Sequence, residues 1–249
     1  MNAKTKAERR AAARSAKTPT PRVKPIEEAY RPRAKQIELV PRNANQADYI
    51  DLLYTEGKDI LFATGPAGTG KTFLPSLYAV REMKDAGYRK IVLTRPLIEN
   101  GEKIGALPGD INEKVGPWLN PIFDAFGKAG IGPAEIAAML DKGVLEIAPL
   151  EMMRGRSFEN TFILADEMQN STKSQMKMLL TRIGEGSRMV ITGDLEQRDR
   201  TDEECGLLDF LDRLGNAPRS RTNRFGLVEF DESDVVRHPI IRDVLRLYA

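Results

Sequence analysis

The chain alternates between short apolar runs and segments in which apolar residues recur every three or four positions. Apolar runs of this length are typical of strands that are buried on both faces. They occur at Asp59–Thr64, Arg89–Pro96, Val144–Pro149, Thr161–Asp166 and Arg188–Asp194. Helical spacing is found at Pro41–Asp59, at Lys71–Gly87, from Ser171 to Gly184, and from Ile240 onwards. The pattern predicts an α/β fold with a mostly parallel sheet of five or more strands and helices on both faces.

Two stretches depart from this alternation. Residues 98–143 contain LPGDINEKVGPWLNPIFDAF, and we interpret them as an insertion of a size that is usually functional or an oligomer contact. Residues 1–35 hold eleven Lys/Arg against three acids, a net charge of +8, whereas the remainder has a net charge of −6. Residues 1–35 have no large apolar side chain before Val23, so they cannot bury a core. We therefore predict a disordered basic tail at 1–35, followed by a domain at 36–249. The tail suits either a nucleic-acid arm or a solubilising leader.

Composition disfavours several classes of protein. No apolar run approaches the ~20 residues that a membrane span needs, and no apolar core of a secretory signal is present. Cys205 is the only cysteine and His238 the only histidine, so an internal disulfide is impossible and a zinc site is disfavoured. We expect a cytoplasmic protein without a membrane partner.

A glycine-rich break between a predicted strand and a predicted helix carries the first chemical signal. It matches G-x-x-x-x-G-K-[ST], a loop whose N–H groups and following helix N-terminus suit an anionic phosphate. Its lysine is expected to reach the β- and γ-phosphates, and its threonine hydroxyl to hold Mg²⁺. Pro75 lacks an N–H early in the helix and predicts a tightened or bent first turn. The predicted nucleotide-binding residues are Gly65, Pro66, Ala67, Gly68, Thr69, Gly70, Lys71 and Thr72.

Polar residues follow two other predicted strands. Asp166, at the tip of TFILAD, is the expected second Mg²⁺ holder, and its neighbour Glu167 is placed to orient or deprotonate a water that attacks the γ-phosphate. Gln197 follows VITGD, and its amide is suited to sense whether the γ-phosphate is present. Because ligands bind at the carboxyl edge of such sheets, we expect these side chains to lie near the phosphate loop.

Several longer blocks resemble the PhoH family of ATP-binding proteins found in bacteria and phages. They are GPAGTGKT, LTRPLIENGEKIGALPGD, IAPLEMMRGRSFENTFILADEMQNST, QMKMLLTRIGEGSRMVITGD and DVVRHP, and the resemblance runs from about Pro41 to the C-terminus. It implies a RecA-like core related to superfamily 1 helicases, ATP binding and hydrolysis, and a link to RNA. In this resemblance, DEMQ, whose last residue is Gln169, corresponds to the DExQ motif of those helicases. GDLEQ corresponds to their GDxxQ motif. Gln46 resembles the glutamine that reads adenine in those helicases.

The same resemblance suggests how chains assemble and what they contact. It does not extend to the nuclease domain fused to some members, so we expect no ribonuclease activity of that kind. With one RecA-like domain per chain, we expect an arginine from a neighbouring subunit to complete the site. This arrangement predicts a closed homo-oligomeric ring. The family resemblance suggests that the ring is a hexamer. Arg237 in DVVRHP is the first choice for that catalytic role, followed by Arg156 and Arg154. The arginines proposed to contact RNA or single-stranded nucleic acid are Arg95, Arg154 and Arg156, with Arg182 as a further candidate.

The sequence therefore predicts Mg²⁺-dependent ATP binding and hydrolysis, coupled to remodelling of RNA or single-stranded nucleic acid by a ring. Two alternatives from other classes stay open at this point. One is a phosphotransferase that passes the γ-phosphate to a small molecule. The other is an ATP-binding regulatory or assembly protein with negligible turnover.

Overall fold

The computed structural model describes residues 37–85, 87–96, 111–198, 201–202 and 204–236, without the side chains of residues 111–117. The predicted basic tail, residues 97–110 of the predicted insertion and the predicted C-terminal helix lie outside the described residues.

One parallel sheet organises the described part of the chain. Its strands are β1 (Ile60–Thr64), β2 (Lys90–Thr94), β3 (Leu145–Ile147), β4 (Thr161–Ala165), β5 (Arg188–Gly193) and β6 (Phe225–Glu229). They lie in the order β3-β2-β4-β5-β1-β6, and every neighbouring pair is parallel. All carboxyl ends therefore meet at one edge of the sheet, where each strand runs into a loop.

Helices cover both faces of this sheet. In the described residues the α-helices are α1 (Ala44–Tyr54), α2 (Phe73–Lys84), α3 (Ile111–Lys128), α4 (Pro133–Asp141), α5 (Lys173–Leu180), α6 (Gly206–Asn216) and α7 (Arg219–Thr222). Short 3₁₀ helices occur at Leu150–Met153, Met168–Asn170, Leu195–Gln197 and Glu232–Asp234. In this part of the chain, no helix combines the length and apolar character that crossing a membrane requires.

The hydrophobic core has two halves, one on each face. On the first face, Leu61, Leu93 and Phe162 of the sheet pack with residues of α1 to α4. On the second face, side chains from alternate strand positions, such as Phe62 and Ile163, pack with α5, α6 and neighbouring loops. Because β1, β4 and β5 are buried on both faces, they read as continuous apolar runs in the sequence. The predicted α/β fold class is confirmed.

The boundaries of the predicted helix at 171–184 differ from those observed. Thr172, rather than Ser171, caps α5, because its side chain accepts from the main-chain N–H of Gln175 while the Gln175 side chain bonds back to the main chain of Thr172. This capping box sets the start of α5, which ends at Leu180 instead of reaching Gly184.

The described part of the predicted insertion at 98–143 forms α3 and α4. Leu119, Ile122 and Phe126 of α3 are buried and pack in the same core half as α2. The described part of this segment therefore contributes core packing as well as surface. The division of the chain into a tail at 1–35 and a domain at 36–249 stays a prediction.

Candidate functional site

The predicted phosphate loop follows β1 at the carboxyl edge of the sheet and leads into α2. Three of its glycines have positive φ, namely Gly65 at +132°, Gly68 at +92° and Gly70 at +93°. Gly65 is also packed too closely for any side chain, because an added Cβ would lie 2.3 Å from the carbonyl oxygen of Phe230. Its N–H donates to the carbonyl of Gly193 at the end of β5, 3.1 Å away. The glycine pattern in the motif is thus a backbone requirement of this loop.

The carbonyl groups of the loop are engaged by donors from the protein. The carbonyl of Pro66 accepts from Thr69 Oγ1 at 3.0 Å and from Lys71 Nζ at 3.1 Å. The carbonyl of Gly68 accepts from the N–H of Val236 at 3.0 Å, so the segment after β6 contacts the loop. A loop whose carbonyl groups bond protein donors can direct its N–H groups to an anion, as phosphate-binding loops do.

Three oxygen groups converge beside the N-terminus of α2. Thr72 Oγ1 donates to Asp166 Oδ1 at 2.8 Å, and Thr192 Oγ1 donates to the same carboxylate oxygen. Asp166 is only 7% exposed and Thr192 is fully buried. The structure brings together Thr72 and Asp166, the two residues predicted to hold Mg²⁺. It adds Thr192, near the end of β5, as a second hydroxyl on the Asp166 carboxylate.

The donor set of this cluster fits Mg²⁺. A hydroxyl and a carboxylate are hard oxygen ligands, and Mg²⁺ is usually held by one or two such protein groups together with nucleotide phosphates and water. Among the described residues, no group of three His, Cys, Asp or Glu side chains is placed to hold a metal ion. A small hard cation bound jointly by protein and nucleotide is therefore the ion that this cluster suits.

Glu167 adopts a backbone conformation that is uncommon outside glycine, with φ 55° and ψ 36°. Its carboxylate accepts a hydrogen bond from Gln169 Nε2 at 2.6 Å. Gln169 is 1% exposed, and its Oε1 accepts from the N–H of Asp194 at 3.1 Å. One buried amide therefore ties the Glu167 carboxylate to the loop that follows β5.

Gln197 lies at the end of the 3₁₀ helix Leu195–Gln197, which follows β5, and its side chain is exposed. The helix is begun by Asp194, whose side chain accepts from the N–H of Glu196 at 3.1 Å. The structure thus puts Gln197 at the carboxyl edge of the sheet, as expected. Its role as a sensor of the γ-phosphate stays a prediction.

A protein-family model described as PhoH-like protein matches residues 38–249 of the chain. The chain belongs to the PhoH family. A PhoH-like protein of Bacillus subtilis is 39% identical over 89% of this chain and 67% of its own length. Protein PhoH of Escherichia coli K12 is 36% identical over 85% of this chain and 58% of its own length. The chain therefore spans from just under three fifths to two thirds of the length of these relatives.

Solved structures resemble the chain only distantly. A Pif1 helicase from Candida albicans is 15% identical, with a TM-score of 0.37, over 78% of this chain and 40% of that one. A likeness at this level carries no argument about function. The PhoH assignment rests on the family match, and the RecA-like P-loop fold on a parallel sheet in which β5 lies between the phosphate-loop strand β1 and the Asp166 strand β4. The predictions of family and fold are confirmed.

Gln46, which the PhoH resemblance suggests as the adenine reader, is 4% exposed and faces the phosphate loop. Its Nε2 donates to the carbonyl of Thr69 at 2.8 Å, and its Oε1 accepts from the N–H of Arg42 at 2.9 Å. Both ends of the amide are thus bonded to main-chain groups of the protein. The predicted contact with adenine stays a prediction.

The arginines predicted to contact nucleic acid have different surroundings. Arg156 forms a double hydrogen bond to the Glu146 carboxylate, at 2.5 and 2.9 Å, and its guanidinium lies 4.6 Å from the ring centroid of Phe158. Hydrogen bonding from Arg156, aided by Lys90, lowers the pKa of Glu146 to about 2. This arginine has a structural partner in the fold, whatever else it contacts.

The other arginines divide into exposed and engaged side chains. Arg95 is half-buried after β2 and Arg154 is exposed after the 3₁₀ helix Leu150–Met153. Arg182 donates to the carbonyls of Met178 and Arg156, at 3.1 and 2.9 Å. Arg237 lies outside the described residues. Arg154 is thus the exposed side chain of this set, and Arg95 forms no side-chain hydrogen bond or ion pair within the described part of the chain.

Proposed function

We propose that this PhoH-family domain binds ATP with Mg²⁺ and hydrolyses it. The observation that carries the proposal is the convergence of Thr72, Asp166 and Thr192 beside a glycine-rich loop that opens a helix. A bound Mg²⁺ would neutralise phosphate charge and orient the β- and γ-phosphates. Thr72 and Asp166 are the residues that would hold it.

The remaining roles are proposed for residues at the same edge of the sheet. Lys71 has three donors on its ammonium group, so it can keep its bond to the Pro66 carbonyl and still contact a phosphate. The Glu167 carboxylate is the proposed acceptor for the proton of the attacking water, and Gln169 holds one of its oxygens. Gln197 is the proposed sensor of the γ-phosphate.

Two variants test binding and hydrolysis separately. Lys71→Ala is expected to abolish or strongly weaken ATP binding, because the positive charge facing the phosphates is lost. Glu167→Gln is expected to bind Mg·ATP and hydrolyse it slowly, because an amide cannot accept the proton. Affinity is measured by calorimetry and turnover by phosphate release. Unchanged ATP affinity in Lys71→Ala contradicts the phosphate-loop assignment, and wild-type turnover in Glu167→Gln moves the proton acceptor elsewhere.

The same measurements separate the alternative functions. Release of free phosphate that is independent of any added acceptor supports hydrolysis, whereas acceptor-dependent transfer supports a phosphotransferase. Tight ATP binding with turnover below the detection limit supports a regulatory or assembly role. The proposal places the protein in the cytoplasm, where ATP is available and a lone thiol stays reduced.

We propose further that the active form is a closed ring, a hexamer, in which Arg237 of one subunit completes the site of its neighbour. The segment leading to Arg237 contacts its own phosphate loop through Val236 and Gly68, so action within the same subunit is the outcome to exclude. Mixing Lys71→Ala with Arg237→Ala is expected to restore activity, since a site that combines the loop of an Arg237→Ala subunit with the arginine of a Lys71→Ala neighbour is intact. No recovery despite verified subunit exchange contradicts action between subunits. A fully active monomer contradicts the ring.

RNA or single-stranded nucleic acid is the proposed partner of the domain. The support is family membership, the basic tail, the position of Arg95 directly after β2 at the carboxyl edge, and the exposed side chain of Arg154. ATPase rates with and without RNA and DNA, alongside a native mass measurement, test this. A rate that neither polymer changes, with no binding at low salt, contradicts it.

A further inference from the structure

Helix α1 approaches the phosphate loop from outside and donates two hydrogen bonds to it. Gln46 Nε2 donates to the carbonyl of Thr69 at 2.8 Å, and the Tyr49 hydroxyl donates to the carbonyl of Lys71 at 3.0 Å. Both side chains are buried, Gln46 at 4% and Tyr49 at 0% exposure. Neither bond is part of a helix or a sheet ladder, so these two side chains supply donors to two carbonyl groups of the loop backbone.

Pro75 explains why the Lys71 carbonyl needs a side-chain donor. In α2 the N–H of Leu74 bonds the carbonyl of Gly70 at 3.0 Å, and the N–H of Ser76 bonds that of Thr72 at 3.3 Å. Residue 75 would bond the Lys71 carbonyl in the same series, but proline has no N–H. The bonds on both sides of Pro75 keep α-helical spacing, so the first turn is not tightened, and the bend that was the other predicted outcome stays a prediction. Tyr49 donates to the Lys71 carbonyl that Pro75 cannot bond.

The amide of Gln46 is oriented by the start of α1. Asn43 caps this helix by accepting from the N–H of Gln46 at 2.8 Å. At the side chain, Oε1 accepts from the N–H of Arg42, and this bond directs Nε2 towards the carbonyl of Thr69. The Gln46 amide is thus arranged to hold the backbone of the phosphate loop. Every nucleotide would use that loop in the same way, whichever base it carries.

We propose that Gln46 and Tyr49 are positioning residues that hold the phosphate loop from behind, and that Gln46 does not select the base. The inference rests on the proposed nucleotide-binding function. A loop whose carbonyls are fixed has its N–H groups already aimed at the phosphates, so less ordering is needed on binding. Removing either donor takes a hydrogen bond from a loop carbonyl and loosens the loop.

The test compares three ligands that share a phosphate chain, namely ATP, GTP and inorganic tripolyphosphate. Tyr49→Phe and Gln46→Met are each expected to weaken all three by the same factor, about tenfold, which corresponds to about 1.4 kcal/mol. Pro75→Ala is expected to restore affinity in the Tyr49→Phe background, because alanine returns the N–H that can bond the Lys71 carbonyl.

The matched control is Tyr54→Phe, which removes a hydroxyl from an exposed tyrosine of the same helix and is expected to change no affinity. Thermal unfolding of each variant fixes a temperature at which all are folded. Loss of ATP affinity alone in Gln46→Met, with GTP and tripolyphosphate unchanged, overturns the inference in favour of adenine reading. Wild-type affinities in Tyr49→Phe, or a loss that Pro75→Ala does not reverse, overturn it for Tyr49. A wild-type protein that binds none of the ligands refutes the proposed function itself, before any variant is compared.

Discussion

Thr192→Val removes one hydroxyl from the Asp166 carboxylate and preserves the shape of a β-branched side chain. Asp166 Oδ1 accepts from both Thr72 and Thr192, and all three groups lie at the carboxyl edge beside the loop. A hydrogen bond to a charged group contributes about 1.5–3 kcal/mol. Since Thr72 is proposed to hold the ion, Thr192 is the hydroxyl that remains to orient the carboxylate. We expect Mg·ATP affinity to fall by at least about tenfold, the lower end of that range.

Thr94 offers a matched control for this substitution. It is also fully buried at the carboxyl end of a strand, next to β4, but its hydroxyl is the buried side-chain group without a hydrogen-bond partner among the described residues. Thr94→Val is expected to keep Mg·ATP affinity and to raise thermal stability slightly, because an unpaired hydroxyl is removed. Calorimetric titration of Mg·ATP into both variants decides the matter. Equal affinities for Thr192→Val and wild type, or an equal loss in Thr94→Val, refute the reasoning.

Three other predictions concern separate features. The pKa of Glu146 is lowered from 4.5 to about 2, so its contribution to stability is complete above pH 4.5 and is lost as the pH falls towards 2. Glu146→Gln should lower the free energy of unfolding at pH 7 by about 1 kcal/mol, after allowance for solvent screening. The variant should also show a weaker dependence of stability on pH between pH 4.5 and 2. An unchanged acid transition would mean that Arg156 gives no net stabilisation. Gln169→Met should lower turnover with little change in ATP affinity, because the Glu167 carboxylate loses its donor; a purely structural role would change both. Deletion of residues 1–35 should leave basal hydrolysis intact and reduce the salt dependence of nucleic-acid binding. If binding by the deletion variant and by the full chain depends on salt in the same way, residues 1–35 are only a solubilising leader.

The phosphate loop could be predicted from sequence because the residues that give it its chemistry are consecutive in the chain. The glycines, Lys71 and Thr72 follow one another, and a buried strand and a helix flank them on either side. Asp166 was found for a similar reason, since it ends an apolar strand. What could be predicted is local in the chain.

The contacts that position these residues depend on register between distant segments. Thr192 meets Asp166 because β4 and β5 pair with Ala165 opposite Ile191, which no spacing in the sequence specifies. Strand β6 was missed because it contains Gly226 and lies at the sheet edge, so only alternate residues are buried. Helix α3 was missed because Gly116, Pro117 and Pro121 weaken its helical signal, while burial of its apolar side chains in the core stabilises it.

The strand order also has a consequence for synthesis of the protein. The motif is complete in the chain at Thr72, but β1 pairs only with β5 and β6, and the loop is contacted by Phe230 and Val236. At about 5–20 residues per second, the ribosome needs roughly 10–30 s to make the intervening stretch. During that time the nascent loop lacks the neighbours that shape it. A product that stops short of Phe230 would carry every residue of the motif and still be unable to form the pocket.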